Sequence, residues 1–318
     1  MERKIINQSV MQSLEPIDIE LVGSDDFLED KDETILTYNK DLLVSGGWKG
    51  NGGLYVVNPA KDDIQKMYDG YYAGLTKYND GFMALKQPNN LYIFDKKLKV
   101  QEVLEVEDKS IKGLHDIKLS GDGFLYIIST HNNKIIVLDE KTLKKQREII
   151  LSKPGIDLHH INDLFITENS LLLSMFSVKG GWKGKPIEQW DGGIVEFDRQ
   201  TFNPKGIIID HLKAPHSITM KNNSLYYCDS LNLNVSKFDL TTKQKEIVTR
   251  FNGFTRGLYF DNHILVVGQS EMRHLQRLNN RFPNVSLDGG FHLYDCKSHN
   301  RRFIKLPVSN PYSIVPYY

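Results

Sequence analysis

The segment ITMKNNSLYYCDSLNLNVSKFD, residues 218–239, decides the fold. Ile218 and Leu225 stand seven residues apart and bracket the turn formers Asn222-Asn223-Ser224. Two β-rich runs around a short polar turn form a hairpin signature. A third short apolar strand then ends at Asp239. Asp suits that place because its side chain bonds nearby backbone and favours a turn.

The same pattern recurs along the chain. Ile35, Leu75, Ile117, Leu164 and Leu258 each have an apolar partner seven residues on, at Leu42, Phe82, Phe124, Leu171 and Leu265. Short strands ending in Asn or Asp follow, at Asn58, Asp95, Asp139, Asp198 and Asp295. A fourth strand is expected in most units, for example over residues 100–106, 146–151, 206–210 and 245–250. Units 40 to 54 residues long match a four-stranded propeller blade. The pattern predicts an all-β, six-bladed β-propeller over residues 31–318, with residues 1–30 as an N-terminal arm or closing strand. Asn310-Pro311-Tyr312-Ser313-Ile314-Val315 echoes Ala214-Pro215-His216-Ser217-Ile218-Thr219. It reads as one more innermost strand that closes the ring with N-terminal strands, which leaves a seven-bladed count open.

Composition narrows the function. The 318 residues carry 40 acidic and 40 basic side chains, a formal net charge of zero. A general nucleic-acid binder needs a basic surface, so that class is disfavoured. The first residues hold no apolar run suited to a signal peptide or a membrane span. The chain therefore reads as cytoplasmic, with no membrane partner. Two cysteines, Cys228 and Cys296, are no disulfide framework and read as reduced structural thiols.

Antiparallel blades put the start of the innermost strand A and the loop between strands B and C on one face. Three such loops are long. They carry Trp48 and Lys49, then Trp182, Lys183, Lys185 and Trp190, then residues 269–289 with a short helix expected over 271–279. All three tryptophans of the chain lie there. Long loops on a rigid scaffold are where function concentrates. Aromatic rings among lysines suit a sugar-like ligand, and an alternative is a hydrophobic lid over the blade edges.

The residue two places before each apolar anchor opens strand A and points to the channel mouth. Those residues are Glu33, Ala73, His115, Asn162, His216 and Arg256, with Tyr312 equivalent in the C-terminal strand. Two histidines, an arginine and an amide at one repeat position indicate a site. Asp116, His159, His160, Asp163 and Ser217 are near enough to assist. His115, His216, Arg256 and His160 are the candidate catalytic groups. Asn162, Glu33, Trp48, Lys49, Trp182, Lys183, Trp190, Arg273 and Tyr312 are the candidate ligand-binding groups. His115 and His216 with a carboxylate or amide suit a divalent metal, zinc or calcium. A neutral His suits a general base, and an Arg suits a carboxylate or an oxyanion. Gly-x-Ser-x-Gly, His-Glu-x-x-His and Cys-x-x-Cys are all missing, which disfavours a nucleophilic hydrolase. A metal- or His-dependent lyase, lactonase or epimerase fits better. Arg256, Arg273, Arg277 and Arg281 with the loop lysines favour an anionic ligand. Rival readings are a non-catalytic protein- or glycan-binding scaffold and an oligomer whose loops pack on a second subunit.

His-Ile-Asn-Asp-Leu (160–164), Pro-His-Ser-Ile (215–218), Gly-Phe-Thr-Arg-Gly-Leu (253–258) and Val-Gly-Gln-Ser-Glu-Met-Arg (267–273) carry a resemblance. In that order they are similar to the bacterial DUF4915 propellers. The resemblance covers the chain from about residue 42 to the end, and it implies a propeller with His160, Asn162, His216, Arg256 and Arg273 as site positions. More distantly the chain is similar to NHL and gluconolactonase-like propellers. Those groups use histidine or acidic ligands around the channel for lyase or lactonase chemistry. The motifs around the acidic metal ligands of the latter are not recognisable here, and only Glu33 and Asn162 are reminiscent of them.

Overall fold

The computed structural model describes residues 2–5, 20–21, 36–47, 51–106, 113–272, 275 and 284–318. Glu33, Trp48, Lys49, Arg273, Arg277, Arg281 and most of the helix expected over 271–279 lie outside them.

Two strands precede the propeller, β1 (Glu2–Ile5) and β2 (Glu20–Leu21). Blade 1 takes β3 (Leu42–Gly47), β4 (Gly53–Asn58) and β5 (Asp63–Asp69). Blade 2 is β6 (Tyr72–Tyr78), β7 (Gly81–Lys86), β8 (Asn90–Phe94) and β9 (Val100–Glu105). Blade 3 is β10 (Leu114–Leu119), β11 (Phe124–Ser129), β12 (Lys134–Asp139) and β13 (Lys145–Ile150). Blade 4 is β14 (Ile161–Ile166), β15 (Ser170–Met175), β16 (Gly192–Asp198) and β17 (Pro204–Leu212). Blade 5 is β18 (Pro215–Lys221), β19 (Ser224–Asp229), β20 (Asn234–Asp239) and β21 (Gln244–Arg250). Blade 6 is β22 (Phe254–Asp261), β23 (Ile264–Ser270), β24 (Gly290–Asp295) and β25 (Arg301–Lys305). The last strand, β26 (Asn310–Pro316), pairs with β3 and completes blade 1.

The ring therefore has six blades, and the C-terminal strand supplies the innermost place of the first. Tyr312 occupies the ring position expected of Glu33, because β3 takes its inner neighbour from the far end of the chain. β1 and β2 join the outer edges of blades 3 and 5 as parallel fifth strands.

The repeated signals have local causes. In blade 5 the turn residues Asn222 and Asn223 both have positive φ, the geometry of a two-residue hairpin turn. The Asn or Asp side-chain oxygen at the end of each of these strands accepts from backbone just beyond it. Asp139 Oδ1 takes the Thr142 N–H at 2.7 Å, and Asp239 Oδ1 takes the Thr241 and Thr242 N–H groups at 2.8 Å each. The apolar faces pack blade on blade. Tyr126 and Val137 of blade 3, for example, share a cluster with Leu164, Leu173 and Phe197 of blade 4.

Every innermost strand carries a bulge at or just after its ring residue, before the apolar anchor. A bulge leaves backbone unpaired and re-aims a side chain. In blades 3, 4 and 5 the residue between ring and anchor accepts from a backbone N–H of the following blade. Asp116 Oδ2 accepts from Leu164 at 3.1 Å, Asp163 Oδ1 from Ile218 at 3.0 Å, and Ser217 Oγ from Gly257 at 2.7 Å. No helix among the described residues is long and apolar enough to cross a membrane.

Candidate functional site

The bulges aim four ring residues at one another. The His115 ring centroid lies 5.5 Å from that of Tyr312 and 6.0 Å from that of His216. The Arg256 guanidinium lies 2.8 Å from His216 Nε2 and 4.1 Å from the Tyr312 ring centroid. These residues come from blades 3, 1, 5 and 6. They floor a cavity of about 1050 Å³ that opens on the face of the long loops. His160, Phe176, Trp182 and Lys183 form one wall, and Tyr71, Gln87 and His131 line it as well.

Hydrogen bonds fix the state of His216. Ser230 Oγ donates to the Thr255 carbonyl at 2.6 Å, so it accepts from His216 Nδ1 at 2.9 Å. The Ala214 carbonyl, 2.9 Å from the same nitrogen, can only accept. Nδ1 therefore carries the hydrogen, and Nε2 accepts from Arg256. Burial, then the Arg256 charge and His115, hold this imidazole well below its ordinary pKa. A neutral acceptor leaves the guanidinium charge intact at the cavity floor. The Tyr312 hydroxyl is hydrogen-bonded to that of Tyr71, which fixes the ring beneath that charge.

The zinc or calcium site expected at His115 and His216 does not fit. A metal at His216 Nε2 would have to displace a guanidinium and then sit beside it. Among the described residues no group of three or more His, Cys, Asp or Glu side chains is arranged to hold a metal.

The remaining expected residues fall into two groups. His115, His160, Trp182, Lys183, His216, Arg256 and Tyr312 all line the cavity. Asn162 does not. It is fully buried, and its Nδ2 donates to the Pro215 carbonyl at 3.1 Å, holding the start of the next inner strand. Trp190 stands behind the wall, 1% exposed and stacked on Phe176 at 5.6 Å. Its Nε1 donates to the Lys185 carbonyl at 3.1 Å, so it supports the loop. Asp116, Asp163 and Ser217 lie under the ring around a void of about 10 Å³.

One site residue, Asp157, has no counterpart in the repeat. Its Oδ2 lies 2.7 Å from His160 Nδ1 and 3.2 Å from Lys183 Nζ. Burial opposes its ionisation, but the His160 hydrogen bond and the His160 and Lys183 charges outweigh that and hold it at about 2. The spacing Asp157-x-x-His160 in the loop before β14 was the available signal. Phe176, Phe254 and Tyr71, which also line the cavity, sit at strand ends and carried no signal of their own.

Comparison with known proteins comes to three findings. The family model described as "Domain of unknown function (DUF4915)" matches residues 113–297. No curated protein matches the chain. A chain in the crystal structure of a nidogen/laminin complex shares the fold, with a TM-score of 0.60 at 11% identity, over 87% of this chain and 97% of that one.

Proposed function

This chain belongs to the DUF4915 family, and we propose that its channel mouth binds a small organic acid with a polar, sugar-like body. One observation carries the reading. A buried guanidinium sits at the floor of a cavity of about 1050 Å³, bonded to an imidazole that burial keeps neutral. A carboxylate suits such a donor because the planar fork matches its two oxygens. Trp182, Phe176 and Phe254 offer apolar faces for the body of the ligand. Lyase, lactonase or epimerase chemistry on such an acid is the enzymatic form of this proposal. Two unpaired thiols, Cys228 and Cys296, fit a reducing, cytoplasmic setting.

The rival is a scaffold that binds proteins or glycans. The nidogen/laminin structure names a complex of two proteins, but at 11% identity it speaks for the fold. Both described tryptophans turn inward, Trp182 into the cavity wall and Trp190 behind it. Neither offers the outward aromatic patch of a protein interface. That favours the small ligand.

Thermal unfolding tests it. Gluconate, citrate and phosphate should raise the melting temperature, and neutral glucose should not. Saturation at a hundredfold excess over Kd adds about 2.7 kcal/mol. Arg256→Gln should abolish the shift. Equal shifts in wild type and variant, or none with any acid, would refute the proposal.

A further inference from the structure

Resting on the reading of the cavity as an organic-acid site, we infer that Glu271 is its second charged anchor and that the acid it takes also carries an amine. Glu271 lines the same cavity as Arg256 and is half-buried. Among the described residues, no group hydrogen-bonds or ion-pairs with its carboxylate. The other carboxylate lining the cavity, Asp157, is committed. Its Oδ2 lies 2.7 Å from His160 Nδ1 and 3.2 Å from Lys183 Nζ. A carboxylate drawn partly out of water is stabilised by a cation brought to it. An ammonium does this through a charge-assisted hydrogen bond.

The fold holds Glu271 in place. It follows directly on β23, and its N–H donates to the Ser309 carbonyl at 2.7 Å, which ties the end of β23 to the residue before β26. Its neighbour Met272 is buried in one apolar cluster with Phe254, Trp182 and Phe176. Phe254 pairs with Ser270, the residue before Glu271. The Phe254 ring lies 5.8 Å from the Arg256 guanidinium carbon and 5.2 Å from the His216 ring, centroid to centroid. Along the strand pair an aromatic residue therefore falls between the two charges. Arg256 pairs with Gly268, three residues before Glu271 (268 to 271). Three residues of strand cover about 10 Å.

The ligand class follows from that spacing. The Arg256 charge draws the carboxylate to the floor, and Glu271 takes the ammonium at the wall. Each charge-assisted hydrogen bond occupies about 2.8 Å. A chain of about three carbons spans what is left, and the single carbon of an α-amino acid falls short of it. The ligand is therefore an amino acid whose amine is several bonds from its carboxylate, with its chain against Phe254. Glu271 also sets specificity. An acid without an amine leaves that carboxylate facing an anion in the same cavity.

Three probes of equal carbon count test it: butyrate, 4-aminobutyrate and 2-aminobutyrate, titrated at neutral pH and followed by ligand-observed NMR. In wild type, 4-aminobutyrate should bind about tenfold tighter than butyrate, the equivalent of one hydrogen bond between charged groups. The isomer with its amine beside the acid, 2-aminobutyrate, should bind no tighter than butyrate. In Glu271→Gln the ratio of the 4-aminobutyrate and butyrate affinities should fall to about one. The comparison of the three probes uses wild type alone, so it decides the inference even where the variant folds poorly. Equal binding of butyrate and 4-aminobutyrate, an equal gain for the 2-amino isomer, or a gain that survives in Glu271→Gln would overturn the inference and leave the organic-acid reading standing. If none of the three binds wild type, that reading falls and takes the inference with it.

Discussion

Burial drives two neighbouring side chains, one in the ring and one beneath it, toward neutrality from opposite directions. His216 is kept deprotonated, while the Asp163 carboxyl is raised to about 7, first by burial and then by Asp116. The consequence for stability has a definite sign. Asp163 binds its proton more tightly folded than unfolded, where its pKa is about 3.9. Its contribution is fully present below about pH 4 and is lost as pH rises through about 7. Asp163→Asn mimics the protonated form and keeps the oxygen that accepts from Ile218. The melting temperature of the variant relative to wild type should therefore climb between about pH 4 and about pH 7 and level off above that. A variant that loses ground over that interval would mean an ionised, well-compensated Asp163. Residues such as His115, His216, Arg256 and Tyr312 were legible in the sequence because they share one offset from a repeated anchor. Asp157 and Phe176 were not, because they come from a loop and a strand end that no repeat position marks.

The inner strands show why the channel residues point where they do. A run such as Pro215–Lys221 reads as plain strand in the sequence, and its hairpin spacing is correct. The bulge between His216 and Ile218 is not legible, since one unpaired residue alters neither apolar spacing nor turn composition. Yet the bulge gives the next residue its work. Ser217, at φ 50°, turns its hydroxyl to the Gly257 N–H at 2.7 Å and joins blade 5 to blade 6. Asp116 and Asp163 make the same link in blades 3 and 4. Ser217→Ala removes that acceptor and strands a buried N–H, which costs about 1–3 kcal/mol. The midpoint of urea unfolding should fall accordingly, with the slope unchanged. A loss under about 0.5 kcal/mol would mean that water in the channel replaces the hydroxyl.

At the scale of the whole ring, the blades are local and the closure is not. Five blades run through consecutive strands, so a scan for repeats finds them in order. The sixth joins β26 to β3, and only the echo of residues 214–219 in residues 310–315 announces it. That strand does several things at once. Ile314 packs with Val44, Val266 and Phe291 in the core shared by blades 1 and 6. Tyr312 lies under Arg256, and the Tyr317 ring stacks on Phe82 of blade 2. Deleting residues 310–318 would uncover the inner edge of β3, a buried apolar strand. An exposed hydrophobic edge is a template for association. The truncated chain should lose its cooperative thermal transition and aggregate on expression. Deleting residues 1–5 is a different operation, because β1 adds to an outer edge that blade 3 already completes with four strands. That variant should keep a single cooperative transition in calorimetry. If the C-terminal truncation instead stayed monomeric and unfolded cooperatively, five blades and an open edge would be a sufficient fold. The closing strand would then serve the channel mouth, through Tyr312, more than it serves stability.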